Sequence, residues 1–556
     1  TLTVHEGTYR ETVTPSNSGT TDAPIVIRAA AGETVVLRGG DLVANWEEVG
    51  PGRWKASCAE SVRQVFWNGD MLPEACWPNT PNDPMQRTWA EAAEGTEPGR
   101  IVQQDLPALD LSGATLHILP GSHWICWTRE VQSTDVENKT LTFTADWDQS
   151  HAYKVKPGTR LYVFGTEALL DAPGEWWYDA VAKELHLLAP DGVSPNAQVV
   201  EVKRRELAID LRGHQHVQVE GFIIHGATVN FSEAQHCVVE NCHVRYASHF
   251  IDAQAWSPRN DSGIVVSGSD NVLRGCSVTY SAGNGITLLG ENNTVENSLV
   301  RYTDYNATDC ASVWAEGRGN AIRHCTLTDS GRSVIIHRTL KAGRIEYNNL
   351  GRAGLMTGDL GITYCYDTDG EGTVIAYNWV HDNVARHTGV GIYIDNGSSN
   401  FLIHHNVSWN NNDSGIRLNT PSANNKVYHN TVIDNGNSFN YWGPDGLDDQ
   451  PGCEAANNIF TDEVRTGEGM DAHHNYIGDA PGLADAKNRD FQLRDDSECI
   501  DAGVAIAGIN DDYEGDAPDQ GAYEHGQPRW TAGHDWGEPP EFPKPTPYTP
   551  TPQELW

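Results

Sequence analysis

Two aspartates and the residues spaced around them are where this chain could do chemistry. Four short runs share one pattern: Val334-Ile335-Ile336-His337, Tyr364-Cys365-Tyr366-Asp367, Ile392-Tyr393-Ile394-Asp395 and Ile416-Arg417-Leu418-Asn419. Each is followed, 11 residues after its last member, by an asparagine: Asn348, Asn378, Asn406 and Asn430. A phase held across four segments is the mark of a stacked repeat. If the runs are strands, His337, Asp367, Asp395 and Asn419 fall in one outward column. Asp367 and Asp395 would then sit on adjacent coils with backbones about 4.8 Å apart. Two carboxylates so close cannot both ionise easily, and one pKa rises. The pair supplies an acid and a base, or an acid and a nucleophile. Carboxyl groups about 5–5.5 Å apart suit a retaining glycosidase and about 6.5–9.5 Å an inverting one; the predicted spacing leans to the short class.

Carried upstream, the same phase places Trp314 and Thr287 in the column. It also puts Ile335, Cys365, Tyr393 and Arg417 beside the column, facing outward with it. Trp314 and Tyr393 can stack on a sugar face. Arg417 can grip a carboxylate or sulfate, and His337 and Asn419 complete the polar surroundings. Asp395-Asn396-Gly397 and Asp367-Thr368-Asp369-Gly370 are also good turn sequences, so each aspartate has a plain structural reading. Asp359, Asp369, Glu371 and Asp382 are rival carboxylates. His404 and His405 lie in the marker strand and read as structural or surface residues.

The elements that must position this column are legible. Apolar, β-branched runs ending at positions 221, 242, 276, 298, 325, 348, 378, 406, 430 and 458 imply a short coil of about 22 residues with variable loops. The repeated asparagines read as a corner ladder, because an unpaired buried amide is costly. Parallel strands favour right-handed crossovers. The expected fold is all-β: a right-handed parallel β-helix with an inserted all-β module near its N-terminus. Residues 1–41 alternate apolar and polar and form the first coils. Residues 42–200 lose the phase, are Trp-rich and contain the hairpin signal Asn68-Gly69; they form the module, with long loops at 77–100 and 145–156. Residues 201–525 form the main β-helix with the catalytic face. Residues 526–556 are a Pro-rich tail, read as a linker or strap.

Composition narrows the class. The 556-residue chain has a net charge of −38, and lysine is scarce, ten against 28 arginines. Such a surface repels nucleic acid and anionic membrane. No run approaches the roughly 18 apolar residues of a membrane span. Thr1-Leu2-Thr3-Val4 already read as a strand, so the chain is expected to start where a leader or first coil has been removed, in a secreted, extracellular or periplasmic protein. The 11 cysteines show no metal-type spacing; Cys242, Cys276 and Cys325 share the repeat phase and read as interior residues.

Several motifs resemble right-handed β-helix carbohydrate-active proteins, with the closest similarity to glycoside hydrolase families 120 and 141. They are Gly358-Asp359-Leu360-Gly361, the run Thr368 to Asn378, and Gly391-Ile392-Tyr393-Ile394-Asp395-Asn396-Gly397. Gly7-Thr8-Tyr9-Arg10-Glu11, Asp171-Ala172-Pro173-Gly174-Glu175-Trp176-Trp177-Tyr178 and Gly521-Ala522-Tyr523-Glu524 are similar too. These families contain β-xylosidase and α-L-fucosidase or xylanase activities and use a pair of acidic residues on the β-helix face. The resemblance therefore implies Asp395 with either Asp359 or Asp367. Asp359 matches the Gly-Asp motif, yet by the phase count it precedes its strand and reaches a cleft only if its loop folds back.

The expectation is a glycoside hydrolase acting on a plant or algal polysaccharide or its oligosaccharides, with no required cofactor and no metal in the site. A polysaccharide lyase or uronate epimerase would instead need a base beside an acidic sugar. His337, Arg338, Lys341 and Tyr393 offer candidates, and the acidic loops offer ligands for Ca²⁺. The third class is a β-helix that binds carbohydrate without turning it over. The loop at 77–100 is expected to wall off the cleft and decide between internal and terminal cleavage.

Overall fold

The protein is seen in a computed structural model that describes residues 1–254 and 262–545; the end of the Pro-rich tail, including Thr546 and Pro547, lies outside the described residues. Three parallel sheets of 13, 13 and 10 strands run the length of the stack. Consecutive coils pair in register, for example Ile345 with Ile375, then Ile403, then Val427. The interior is one continuous apolar column containing Ile335, Ile345, Ile375, Ile392, Ile403, Ile416 and Val427. This is the right-handed parallel β-helix. Cys242, Cys276 and Cys325 belong to that core, and all eleven cysteines are buried.

The corner between the first two sheets is held by an asparagine ladder. Asn378 Oδ1 accepts from both the backbone N–H and the side-chain amide of Asn348, at 2.9 and 3.0 Å. Asn406, Asn430, Asn458 and Asn475 continue the pattern. The residue before each asparagine is left-handed and turns its ring outward: Tyr347, Tyr377, His405 and His429 all have positive φ. Their rings stack at 4.8 to 4.9 Å, the rise of one coil.

The first coils stack directly beneath later ones. Strand Ile25–Ala29 pairs with Val217–Glu220, and Val35–Arg38 with Ile223–His225. The chain between them leaves the stack through a neck where Gly40–Leu42 and Val200–Lys203 pair antiparallel. Glu201, buried there, takes 2.6 Å ion pairs from both Arg10 and Arg38. The strands of the excursion pair antiparallel, and it has its own core around Leu116, Ile118, Leu161 and Val163. It folds back onto the β-helix: Arg160 donates to the Met356 carbonyl at 2.9 Å, Arg332 to the Trp124 carbonyl at 2.7 Å, and the Gly358 N–H to the His123 carbonyl at 2.8 Å.

The tail is a strap. It returns along the second sheet toward the N-terminal end: His534 meets Thr326, Trp536 the Asn297 carbonyl, Glu538 pairs with Arg301, and the Pro543 carbonyl accepts from Arg38.

Candidate active site

The third sheet carries the site. Its register runs Trp314, Ile336, Tyr364, Tyr393, Arg417 in one outward column. Two residues further along each coil, a second outward column reads Arg338, Tyr366, Asp395, Asn419 and Trp442. His337 N–H bonds to the Tyr364 carbonyl, Cys365 is level with Ile394, and Trp442 N–H bonds to Asn419. The residues between the columns, His337, Cys365, Ile394 and Leu418, face the other way, into or against the core.

The constant distance to the asparagines therefore misleads for part of the column. The strand Asp369–Ala376 carries an irregularity: Asp369 is level with Ser399 but Thr373 with Phe401. The extra residues after Asp369 shift the phase, so Tyr366, not Asp367, stands level with Asp395. Asp367 is exposed, in a left-handed turn conformation, and hydrogen-bonds by its N–H to the Asn396 carbonyl. It does not line the cleft, and the predicted pair Asp367–Asp395 is not formed. His337 is fully buried with its ring against Phe401, and burial pushes its pKa down to about 3. It is a core residue, not a sugar ligand. Ile335 and Cys365 are core residues too. Trp314 faces outward but is covered, with Arg338 lying 5.5 Å over its ring; it is a floor beneath the site rather than a stacking surface.

A cleft of about 970 Å³ opens over the two columns. Asp359, Asp395, Tyr364, Tyr366, Tyr393, Asn419 and Trp442 line it, with Arg332, Arg338, Arg417 and Asp413. The far wall comes from the inserted module, at Ser122, Trp124 and His151 to Tyr153. The loop at 77–100 supplies none of the lining, so the wall belongs to the other long loop and to the turn at 120–124. Glu371 pairs with Lys341 at 2.6 Å, Asp382 with His381 at 2.7 Å, and Asp369 takes the Asn400 amide, all away from the cleft.

Asp359 reaches the cleft because its loop does fold back. Gly358 is clamped by the His123 carbonyl, and a side chain there would press on His387 at 3.0 Å and on the Ser122 carbonyl at 3.3 Å. Asp359 then takes a left-handed φ of 49° and Leu360 begins the strand. Its carboxyl pKa is pushed up to about 6, first by burial; the charges of Asp395 and Asp413 add to the rise, while Arg332 and Arg417 oppose it. This is a carboxyl able to hold a proton near neutral pH.

Asp395 is built differently. Its Oδ2 accepts from the Tyr364 hydroxyl at 3.0 Å, and its Oδ1 from the Asn419 amide at 2.7 Å and the Asn396 N–H at 2.8 Å. Every one of these contacts is a donor, the surroundings of an acceptor-only carboxylate. Asn419 also donates to the Tyr393 hydroxyl at 2.9 Å. Burial, and then the charge of Asp395, raises both phenols well above the usual range and keeps them protonated.

Three arginines frame the pair, all held by carboxylates. Arg332 and Arg338 converge on the buried Asp309 at 3.2 and 2.7 Å, and Arg417 meets Asp413 at 3.2 Å. Sequence reasoning missed Tyr364, Tyr366, Arg332, Asp413 and Trp442 as cleft residues. Among the described residues, the carboxylate group with spacing for a cation is Asp448, Asp449 and Glu468, which lies outside the lining.

Residues 227–460 match the family model described as a right handed beta helix region. No curated protein matches in sequence. Among solved structures, one titled "Glycoside hydrolase" superposes with a TM-score of 0.58 at 16% identity, covering 79% of this chain and 88% of its own. The complex of XylC with xylose gives 0.44 at 13% identity, covering 87% and 82%. Pectate lyase Pel9A gives 0.41 at 18% identity, covering 56% and 88%. At these identities the likeness is one of fold: the chain shares the β-helix architecture of carbohydrate-active proteins, and the activity must be argued from the cleft.

Proposed function

We propose that this protein is a glycoside hydrolase in which Asp359 is the general acid and Asp395 the opposing carboxylate. The observation that carries the reading is the contrast between the two groups. Asp359 is raised to about 6 by burial and its acidic neighbours, while Asp395 is surrounded by three donors. Two carboxyls in one cleft with environments that divide their roles are what glycosidic cleavage asks for. Asp359 gives its proton to the leaving glycosidic oxygen. Asp395 faces the positive charge that develops at the sugar, either bonding to that carbon or taking a proton from the attacking water. Tyr364 and Asn419 hold Asp395 in place, and Trp124 and Tyr153 on the module wall keep water from one side. The substrate class is a poly- or oligosaccharide, and no step calls for a cofactor.

A second reading, a lyase or epimerase on an acidic glycan, is favoured by the three guanidinium groups at the cleft, which suit a uronate carboxylate. A panel of neutral and acidic polysaccharides, assayed for new reducing ends and for the ultraviolet absorbance of unsaturated uronates, separates the two. Reducing ends without absorbance support the hydrolase; absorbance overturns it. Asp395→Asn is expected to abolish turnover with the fold intact by circular dichroism, and near-wild-type activity in that variant sinks the assignment.

A further inference from the structure

The outward column through Asp395 carries two exposed aromatics. Tyr366 is one coil before Asp395 and Trp442 two coils after it, so the two rings bracket the carboxylate over three coil rises, about 14 Å of backbone. Their exposure is unusual here. Among the described residues three large aromatics are at least 36% exposed, Tyr366 at 50%, Trp442 at 54% and Tyr513 at 36%, and two of these three line this cleft. Trp442 is exposed without being loose. Its N–H donates to Asn419 Oδ1 at 2.8 Å, and its carbonyl accepts from the Thr420 N–H at 2.9 Å. The same Asn419 side chain holds Asp395. The backbone of Trp442 is thus tied to the frame of the site while its indole is left half in solvent. Across the trough stand Trp124 and Tyr153, edge to face at 5.7 Å.

Exposed aromatic faces cost hydrophobic free energy in the unliganded protein and return it when an apolar face covers them. We infer that Tyr366 and Trp442 are sugar-stacking platforms on either side of the cleavage point, and that the substrate is an oligosaccharide or polymer lying along the β-helix axis, parallel to the column. This rests on the hydrolase reading and adds the direction of the chain and the subsites that hold it.

The test separates the inference from the reading beneath it. Asp395→Asn protein is run through native gels containing arabinoxylan, laminarin, polygalacturonate or alginate, beside the same variant carrying Tyr366→Ala or Trp442→Ala. Both rings are exposed, so the melting temperatures should match. Retardation of Asp395→Asn by at least one polymer, with binding about tenfold weaker in each double variant, is the expected result. Retardation that survives both alanine substitutions unchanged overturns the platforms and leaves the hydrolase reading standing. If no polymer retards Asp395→Asn, and wild type releases no reducing ends from any of them, the glycan reading falls and the platforms with it.

Discussion

The Tyr364 hydroxyl sits 3.0 Å from Asp395 Oδ2 and donates to it from the neighbouring coil. Tyr364 also lies beneath Arg338, whose guanidinium is 5.3 Å over its ring and is held from the other side by Asp309 at 2.7 Å. A hydrogen bond to a charged acceptor contributes about 1.5–3 kcal/mol. Tyr364→Phe keeps the ring and removes the bond. Its kcat/KM is expected to fall about 10- to 100-fold, with little change in the melting temperature. An unchanged kcat/KM would mean that Asp395 does not depend on this donor.

Asp359 predicts both a pH profile and a stability effect. As the general acid it must be protonated, so activity should decline as pH rises through about 6, where its carboxyl titrates. The sign for stability is the same. The folded pKa lies above the unfolded one, so its contribution to folding is largest at low pH and is lost as pH rises through about 6. Asp359→Asn removes that cost. It should abolish activity and raise stability above pH 6 on the order of 1–2 kcal/mol after solvent screening. The cost builds up between the unfolded pKa and about 6, so denaturant melts at pH 4 and pH 8 check it: a much larger gain at the higher pH is expected, and an equal gain at both would place its cause elsewhere.

The repeat was legible because it is a property of many residues at once. Period, apolar interior and asparagine corners each recur coil after coil, and an error in one coil is corrected by the next. The site is a property of single coils, where one or two inserted residues move a side chain to the opposite face. The irregularity between Asp369 and Thr373 displaced Asp367 from the column, and a phase error of one residue turned His337 inward and brought Arg338 out in its place. Asp395 and Asn419 fell on the right face because the next loop has the regular length. Asp359 was hidden for another reason: its position depends on Gly358 bonding to His123, across 235 residues of chain. No local pattern carries that contact; only the family resemblance pointed to it.

His337 tests the corrected register directly. Neither ring nitrogen has a hydrogen-bond partner among the described residues, and burial pushes its pKa down to about 3. A histidine held neutral in the fold contributes stability that is present above its unfolded pKa and is lost as pH falls below it. His337→Leu should leave kcat/KM within about twofold and stabilise the protein, more at pH 5 than at pH 8, because it removes both an unpaired polar ring and a proton-binding group of the unfolded chain. A large loss of activity without loss of stability would return His337 to the site.

The asparagine ladder should fail by more than one bond when one rung is removed. Asn378 Oδ1 takes two donors from Asn348, and its amide donates to the Ile345 carbonyl at 2.8 Å and to Asn406 at 2.9 Å. In Asn378→Ala the Asn348 N–H and the Ile345 carbonyl are left buried without these partners, each at about 1–3 kcal/mol. The expected loss is therefore several times that of a surface substitution, roughly 2–5 kcal/mol. In a stack where each coil contacts its neighbours, the loss should be local. Hydrogen exchange should quicken most in strands Arg344–Glu346, Asp369–Ala376 and Ser399–His404, and least at the two ends of the β-helix. Because the third strands of these same coils carry Tyr364 and lead directly into Asp395, kcat/KM should fall with the local opening. A variant as protected as wild type throughout would show that the column is held by its apolar core alone.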